Sequence, residues 1–217
     1  MGYPTILVFL GSFNPPTKLH IAMMEEGVSC AEKHGYSVQQ VIVSPVSNHY
    51  GKPGLLPIIH RLNMLNKAIG LSPIRSLICI DEWESNQKNY VRSYTVLKRI
   101  QDQYSNHKVL MLSGADLVEQ MSCSSPVLWP IETLEPLLSE FKVIVIQRGV
   151  TDLDSVIETT RLCRFRDSFI PCNKLEERPI SSTATRELIA RGESDNEVLT
   201  YISQPVLDYI KQNKLYL

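Results

Sequence analysis

Apolar runs of strand length recur along this chain at Ile6 to Leu10, Val38 to Val43, Leu77 to Ile80, Val109 to Leu112 and Val143 to Ile146, each rich in β-branched residues. Stretches with helical spacing lie between them, as at Ile21, Met24, Val28 and Ala31, and again at Val96, Leu97 and Ile100. A continuously apolar strand has no polar face to offer water, so it must be covered on both sides. Strands alternating with helices supply that cover. The pattern predicts an α/β fold, a Rossmann-like open parallel sheet with helices on both faces and right-handed crossovers. After Phe169-Ile170-Pro171 the pattern turns to short helices, Ser182 to Arg191 and Gln204 to Asn213, broken by Gly192-Glu193-Ser194-Asp195. This reads as a small C-terminal helical lobe over about 172–217, packed on the sheet within a single domain spanning 1–217.

Composition excludes several classes of function. With 43% hydrophobic and 21% charged residues the chain has the balance of an ordinary globule. The formal net charge is −1 and no basic run occurs, so neither nucleic acid nor a membrane surface is an expected partner. Thr5 to Leu10 is too short for a signal segment or a membrane span. The 5 cysteines are odd in number and contain no C-x-x-C pair, which argues against a disulfide framework and a zinc site and for a reduced intracellular compartment. That compartment reads as cytoplasmic, with a nuclear location and a homo-oligomer both left open.

In an open parallel sheet, ligands gather where loops leave the carboxyl ends of the strands. The loop after the first run is Gly11-Ser12-Phe13-Asn14-Pro15-Pro16-Thr17-Lys18-Leu19-His20. It is neither a P-loop nor a dinucleotide G-x-G-x-x-G. Glycine admits a phosphate close to the backbone, and a helix beginning near Thr17 puts Thr17 and His20 on one face, aimed back at the loop. The alternative is a plain turn with Thr17 as N-cap and His20 as a surface histidine. A second candidate is Ile180-Ser181-Ser182-Thr183-Ala184-Thr185-Arg186, where hydroxyls and free N–H groups at a helix start suit phosphate oxygens and arginine adds a fork of donors. Alone it reads equally well as an ordinary cap. Ser47 to Pro57 and Ser122 to Pro130, rich in turn formers, are expected to be loops beside the strand ends.

Taken together, GSFNPPTKLH and ISSTATR resemble the nicotinamide mononucleotide adenylyltransferase family, especially its eukaryotic members, within the nucleotidylyltransferase superfamily. The similarity also takes in Ser44-Pro45-Val46, Tyr50-Gly51-Lys52, Gly54-Leu55, His60-Arg61, Asp81-Glu82-Trp83-Glu84-Ser85, Gly114-Ala115-Asp116-Leu117 and Leu128-Trp129. The resemblance implies adenylyl transfer from ATP to nicotinamide mononucleotide, or to its nicotinate counterpart, giving NAD or deamido-NAD and pyrophosphate. It implies that Gly11, Ser12 and Phe13 line the groove between two nucleotides and that His20 contacts ATP phosphates. Ser182, Thr183 and Arg186 would grip the departing pyrophosphate, and Lys52 would reach the mononucleotide phosphate. Gly114 and Asp116 would receive a ribose, and Trp83 and Trp129 would stack on nicotinamide, with backbone groups near Asn86 and Leu128 reading its carboxamide. Mg²⁺ would arrive with ATP, held by phosphates and water and not by a dedicated protein metal site. His20, Lys52 and Arg186 are the expected catalytic group. Another small-molecule nucleotidylyltransferase, or a nucleotide-binding, chaperone-like protein, remains the competing reading.

Overall fold

The computed structural model describes residues 2–123, 129–147, 152–172, 175 and 180–217. Six parallel strands, β1 (Tyr3–Gly11), β2 (Tyr36–Pro45), β3 (Ile78–Ile80), β4 (Lys108–Gly114), β5 (Lys142–Ile146) and β6 (Phe169–Cys172), form one sheet in the order β3-β2-β1-β4-β5-β6. The chain builds outward from β1 to β3, then crosses back to place β4 on the other side of β1. That reversal makes the β1/β4 boundary the point where loops diverge and leave a crevice. Both strands end in glycine there, Gly11 and Gly114.

Side-chain alternation along the strands builds two cores. Ile6, Val8, Val109 and Met111 point to one face of the sheet, where α3 (Ser93–Gln103), α4 (Ala115–Ser122), α5 (Ile131–Glu140) and α6 (Leu153–Glu158) cover them. Leu7, Phe9, Leu110 and Leu112 point to the other, beneath α1 (Lys18–Lys33) and α2 (Ile58–Ile69). Parallel strands clothed on both faces agree with the expectation from the apolar runs. A third, smaller core joins α2 to the C-terminal helices α7 (Ser182–Ala190), α8 (Asp195–Val198) and α9 (Gln204–Gln212), with Met64 and Ala68 against Val206, Leu207 and Ile210. The helices predicted from Ser182 and Gln204 are thus present.

Two features depart from the sequence reading. The sixth strand was not predicted: β6 has only 4 residues and includes Pro171, whose missing N–H is tolerated because β6 is the sheet's edge. A disulfide joins Cys30 of α1 to Cys172 of β6 across 142 residues of sequence, against the expectation of unpaired thiols. An odd count forbids pairing all five cysteines; it does not forbid one pair that packing brings together on one face of the sheet. Cys79, Cys123 and Cys163 are free.

Helix α1 lies so close to the sheet that a Cβ on Gly27 would stand 2.8 Å from Leu112 Cδ1 and 3.2 Å from Leu7 Cδ2. Both leucines are buried and have little room to move. Overpacking typically costs about 1–3 kcal/mol, against a gain of about 1 kcal/mol in helix propensity. Gly27→Ala should therefore lower unfolding free energy by up to about 2 kcal/mol in a denaturant titration; a stabilised variant would contradict this packing.

Candidate active site

The loop leaving β1 is held by its own side chains. Phe13 has φ 47°, an uncommon left-handed conformation for a bulky residue, and its ring is buried. That ring meets Phe9 edge-on at 5.4 Å and His20 at 5.2 Å. It also underlies Gly11, where a Cβ would come within 3.0 Å of it. The next peptide, Asn14-Pro15, is cis. Asn14 is fully buried and joins four segments: Nδ2 donates to the Gly54 carbonyl at 2.8 Å, while Oδ1 accepts from Leu56 N–H at 3.3 Å and Tyr216 Oη at 2.8 Å. Its own carbonyl accepts from Arg186 Nη1 at 2.8 Å, and Ser182 Oγ donates to the Pro15 carbonyl at 2.8 Å. The two sequence motifs, more than 160 residues apart, therefore meet directly.

Thr17 is the N-cap of α1 in a reciprocal capping box with His20. Thr17 N–H donates to His20 Nδ1 at 2.9 Å. With Nδ1 accepting, a neutral imidazole carries its proton on Nε2. The capping role and a catalytic role are compatible, because the cap uses one ring nitrogen and sets the tautomer of the other.

Arg61, fully buried, is the organising cation beneath this loop. Nε donates to Leu56 O at 2.9 Å, Nη1 to Ser12 O at 3.0 Å, and Nη2 to Val46 O at 2.7 Å and Asn48 Oδ1 at 3.3 Å. Burial pushes its pKa down to about 10, so it stays charged near neutrality. Its guanidinium fixes the carbonyls of three loop segments that border the crevice.

Between β1 and β4 opens a cleft of about 250 Å³ whose lining includes Gly11, Ser12, His20, Lys52, Gly114 and Asp116. Lys52 Nζ donates to Ser12 Oγ at 3.5 Å. Partial burial and then the charge of Arg186 lower the Lys52 pKa, while Asp116 opposes them, so the three side chains share one electrostatic neighbourhood. Thr183 is exposed and lies 3.4 Å from Arg186 Nη2. Ser182, by contrast, spends its hydroxyl hydrogen on Pro15. Among the described residues, no group of three or more His, Cys, Asp or Glu converges as a metal site.

Part of the cleft's lining is aromatic. Trp129 and Tyr90 line it together with Tyr50, Glu84 and Ser93. Trp83 does not line it: the indole packs on the core with Arg99 over its ring at 4.8 Å, and Arg99 pairs with Asp81. Asn86 is exposed, and its N–H donates to Glu82 O at 3.1 Å, away from the cleft. Leu128 falls outside the described residues. Asn14, Arg61 and Tyr216, which brace the loop, and Glu84 and Tyr90, which line the cleft, are not among the residues expected there from the sequence. Arg61 left a signal, since it shares the buried helical face of Met64, Leu65 and Ala68, where a charge needs a reason.

A phosphate-ready loop at a topological switch point, faced by a second helix N-terminus, defines a nucleotide-handling α/β protein. Residues 8–188 match the family model described as Cytidylyltransferase-like. The nicotinamide/nicotinic acid mononucleotide adenylyltransferase of Oryza sativa is 34% identical over 220 residues, covering 97% of this chain and 85% of the rice protein. The one from Arabidopsis thaliana is 32% identical, covering 97% and 89%. Among solved structures, the Plasmodium falciparum nicotinic acid mononucleotide adenylyltransferase complexed with NaAD has the same fold, with a TM-score of 0.75 at 22% identity over 99% of this chain and 98% of that one. The chain belongs to the cytidylyltransferase-like family, among its nicotinamide/nicotinic acid mononucleotide adenylyltransferases. Among the described residues, no helix is long and apolar enough to cross a membrane.

Proposed function

We propose that this chain transfers the adenylyl group of ATP to nicotinamide or nicotinate mononucleotide, releasing pyrophosphate and forming NAD or deamido-NAD. The observation that carries this reading is the junction of Gly11–His20 with Ser182–Arg186 beside Lys52, at a cleft whose lining also includes Tyr50, Tyr90 and Trp129. The acceptor's 5′-phosphate attacks the α-phosphorus of ATP, the bond to the bridging oxygen breaks, and pyrophosphate leaves with that electron pair. The nucleophile is already an anion, so no general base is required. Catalysis rests on alignment and on neutralising charge that grows on the leaving oxygens.

His20 donates from Nε2 to the ATP phosphates, and Arg186 with Thr183 and the α7 N-terminus holds the leaving pyrophosphate. Lys52 faces the mononucleotide phosphate. Ser182 braces the loop through Pro15, a positioning role in place of direct phosphate contact. Asp116 and Gly114 receive a ribose. Trp129 and Tyr90, in place of Trp83, supply the stacking surfaces for the pyridine ring. Mg²⁺ bound to ATP supplies further charge neutralisation. The donor set suits an ion carried in on phosphates, since one carboxylate, Asp116, lies beside Lys52 and Arg186. All of these groups come from one chain, which acts as a single domain in this reading, and a cytoplasmic location fits its use of ATP.

The test is an assay with ATP, Mg²⁺ and each mononucleotide, reporting dinucleotide and pyrophosphate in equal amounts. Turnover with neither mononucleotide, but with another phosphorylated acceptor, would overturn the reading.

A further inference from the structure

Glu84 is a buried carboxyl that the proposed chemistry leaves without a task. It lines the cleft, 4% exposed, in company with Tyr90, Ser93 and Trp129. Ser44 Oγ donates to Oε2 at 2.7 Å and fixes the carboxyl's orientation. Oε1 has no hydrogen-bond partner among the described residues, yet it is not one of the atoms sealed from solvent without a partner. It therefore opens to the cleft. A carboxyl kept here at the cost of desolvation is a reader waiting for a polar group on the ligand.

We propose that Glu84 reads the head group of the acceptor's pyridine ring and decides between its two forms by its own protonation. An ionised Glu84 accepts from the carboxamide NH₂ of a nicotinamide and repels the carboxylate of a nicotinate. A protonated Glu84 donates to that carboxylate. The proposal rests on the reading of the cleft as a mononucleotide site.

The surroundings put this switch in the neutral range. Burial raises the Glu84 pKa to about 7, with the Ser44 hydrogen bond and the charge of Arg61 pulling the other way. Other groups facing the carboxyl are Tyr90 from its own loop, which carries Arg92 over its ring, and Tyr50 beyond it; Tyr216 lies behind Arg61. Arg61 at about 10 and the phenol of Tyr90, raised by burial, both titrate above the range in question. His20 faces the phosphates of ATP and Lys52 the 5′-phosphate that both acceptors carry, so neither distinguishes the two substrates, and the titration of that 5′-phosphate cancels in their ratio.

The experiment measures kcat/KM for nicotinamide and nicotinate mononucleotide from about pH 6 to about pH 8.5, bracketing the titration of the carboxyl. The ratio of nicotinamide to nicotinate should rise roughly tenfold across that interval in the natural protein, the size of one charge-assisted hydrogen bond exchanged for repulsion. Glu84→Gln should give a flat ratio. Ser44→Ala removes the bond that favours the ionised form, so the rise should persist with its midpoint moved to higher pH; this variant carries the test if Glu84→Gln fails to fold. A flat ratio in the natural protein, or an unchanged rise in Glu84→Gln, would overturn the inference. Absence of turnover with both mononucleotides would instead sink the reading of the site.

Discussion

His20→Ala is expected to lower kcat by about 10²–10³-fold, the usual loss when one preorganised donor to a developing anion is removed. Thr17 N–H at 2.9 Å occupies Nδ1, so the neutral ring is held in one orientation with its proton on Nε2. The ring is braced edge-on by Phe13 at 5.2 Å and by a tilted Phe9 at 5.9 Å, so little reorganisation is required when charge develops. Loss of the imidazole also breaks half of the capping box, which should cost about 1 kcal/mol of stability and leave the fold intact. His20→Gln retains an N–H donor without the option of positive charge, and its kcat should fall between the two. The check is kcat for both variants beside their thermal melting curves. Near-natural turnover in His20→Ala would remove the residue from charge stabilisation and leave it as a cap.

How much of this was legible in the sequence follows from which physical signals are local. Both-face burial of the sheet was, because the apolar runs at Ile6 to Leu10 and Val143 to Ile146 leave no polar face for water. So was the position of the loop from Gly11 to His20, since a strand followed by glycine and a helix start is a local pattern. The edge strand Phe169–Cys172 was not, as four residues with a proline carry almost no periodic signal. Nor was the bond between Cys30 and Cys172, which depends on α1 and β6 meeting across the sheet.

The aromatic wall shows the same limit at finer scale. Trp83 and Tyr90 sit in one loop, and residue type favoured the tryptophan as the stacking surface. The fold places the two differently. Trp83 N–H donates to Asp81 Oδ1 at 3.1 Å and Asn86 N–H to Glu82 O at 3.1 Å, a tight turn that accompanies the indole's packing on the core under Arg99. The loop then returns to the cleft at Tyr90. Asn14 was unreadable for a different reason. Its partners Gly54, Leu56, Arg186 and Tyr216 are between 40 and 202 residues away, and a residue satisfied only by distant groups looks like a turn former in its own neighbourhood.

The largest effect on stability is expected from Arg61. Its guanidinium donates to the carbonyls of Ser12, Val46 and Leu56, and among the described residues no other side chain donates to those three oxygens. Arg61→Ala would leave them buried or reliant on water entering the space, while also exposing Glu84 to burial without its neighbouring cation. Removing one partner from such a buried charged network typically costs about 3–5 kcal/mol. For a chain of this length each kcal/mol is worth roughly 2–4 °C, so melting should fall by roughly 6–20 °C. Arg61→Lys keeps the charge but presents a point donor where a planar fork spans three carbonyls, so it should recover only part of the loss. Activity separates this from a purely global effect. At a temperature where Arg61→Lys is fully folded, the KM for the mononucleotide should rise more than that for ATP, because Lys52 and Tyr50 lie on the segment between Val46 and Leu56 that the guanidinium pins at both ends. A melting temperature within two or three degrees of the natural protein, to be expected only if the loss were about 1 kcal/mol, would mean that water replaces the guanidinium and that the loop does not depend on it.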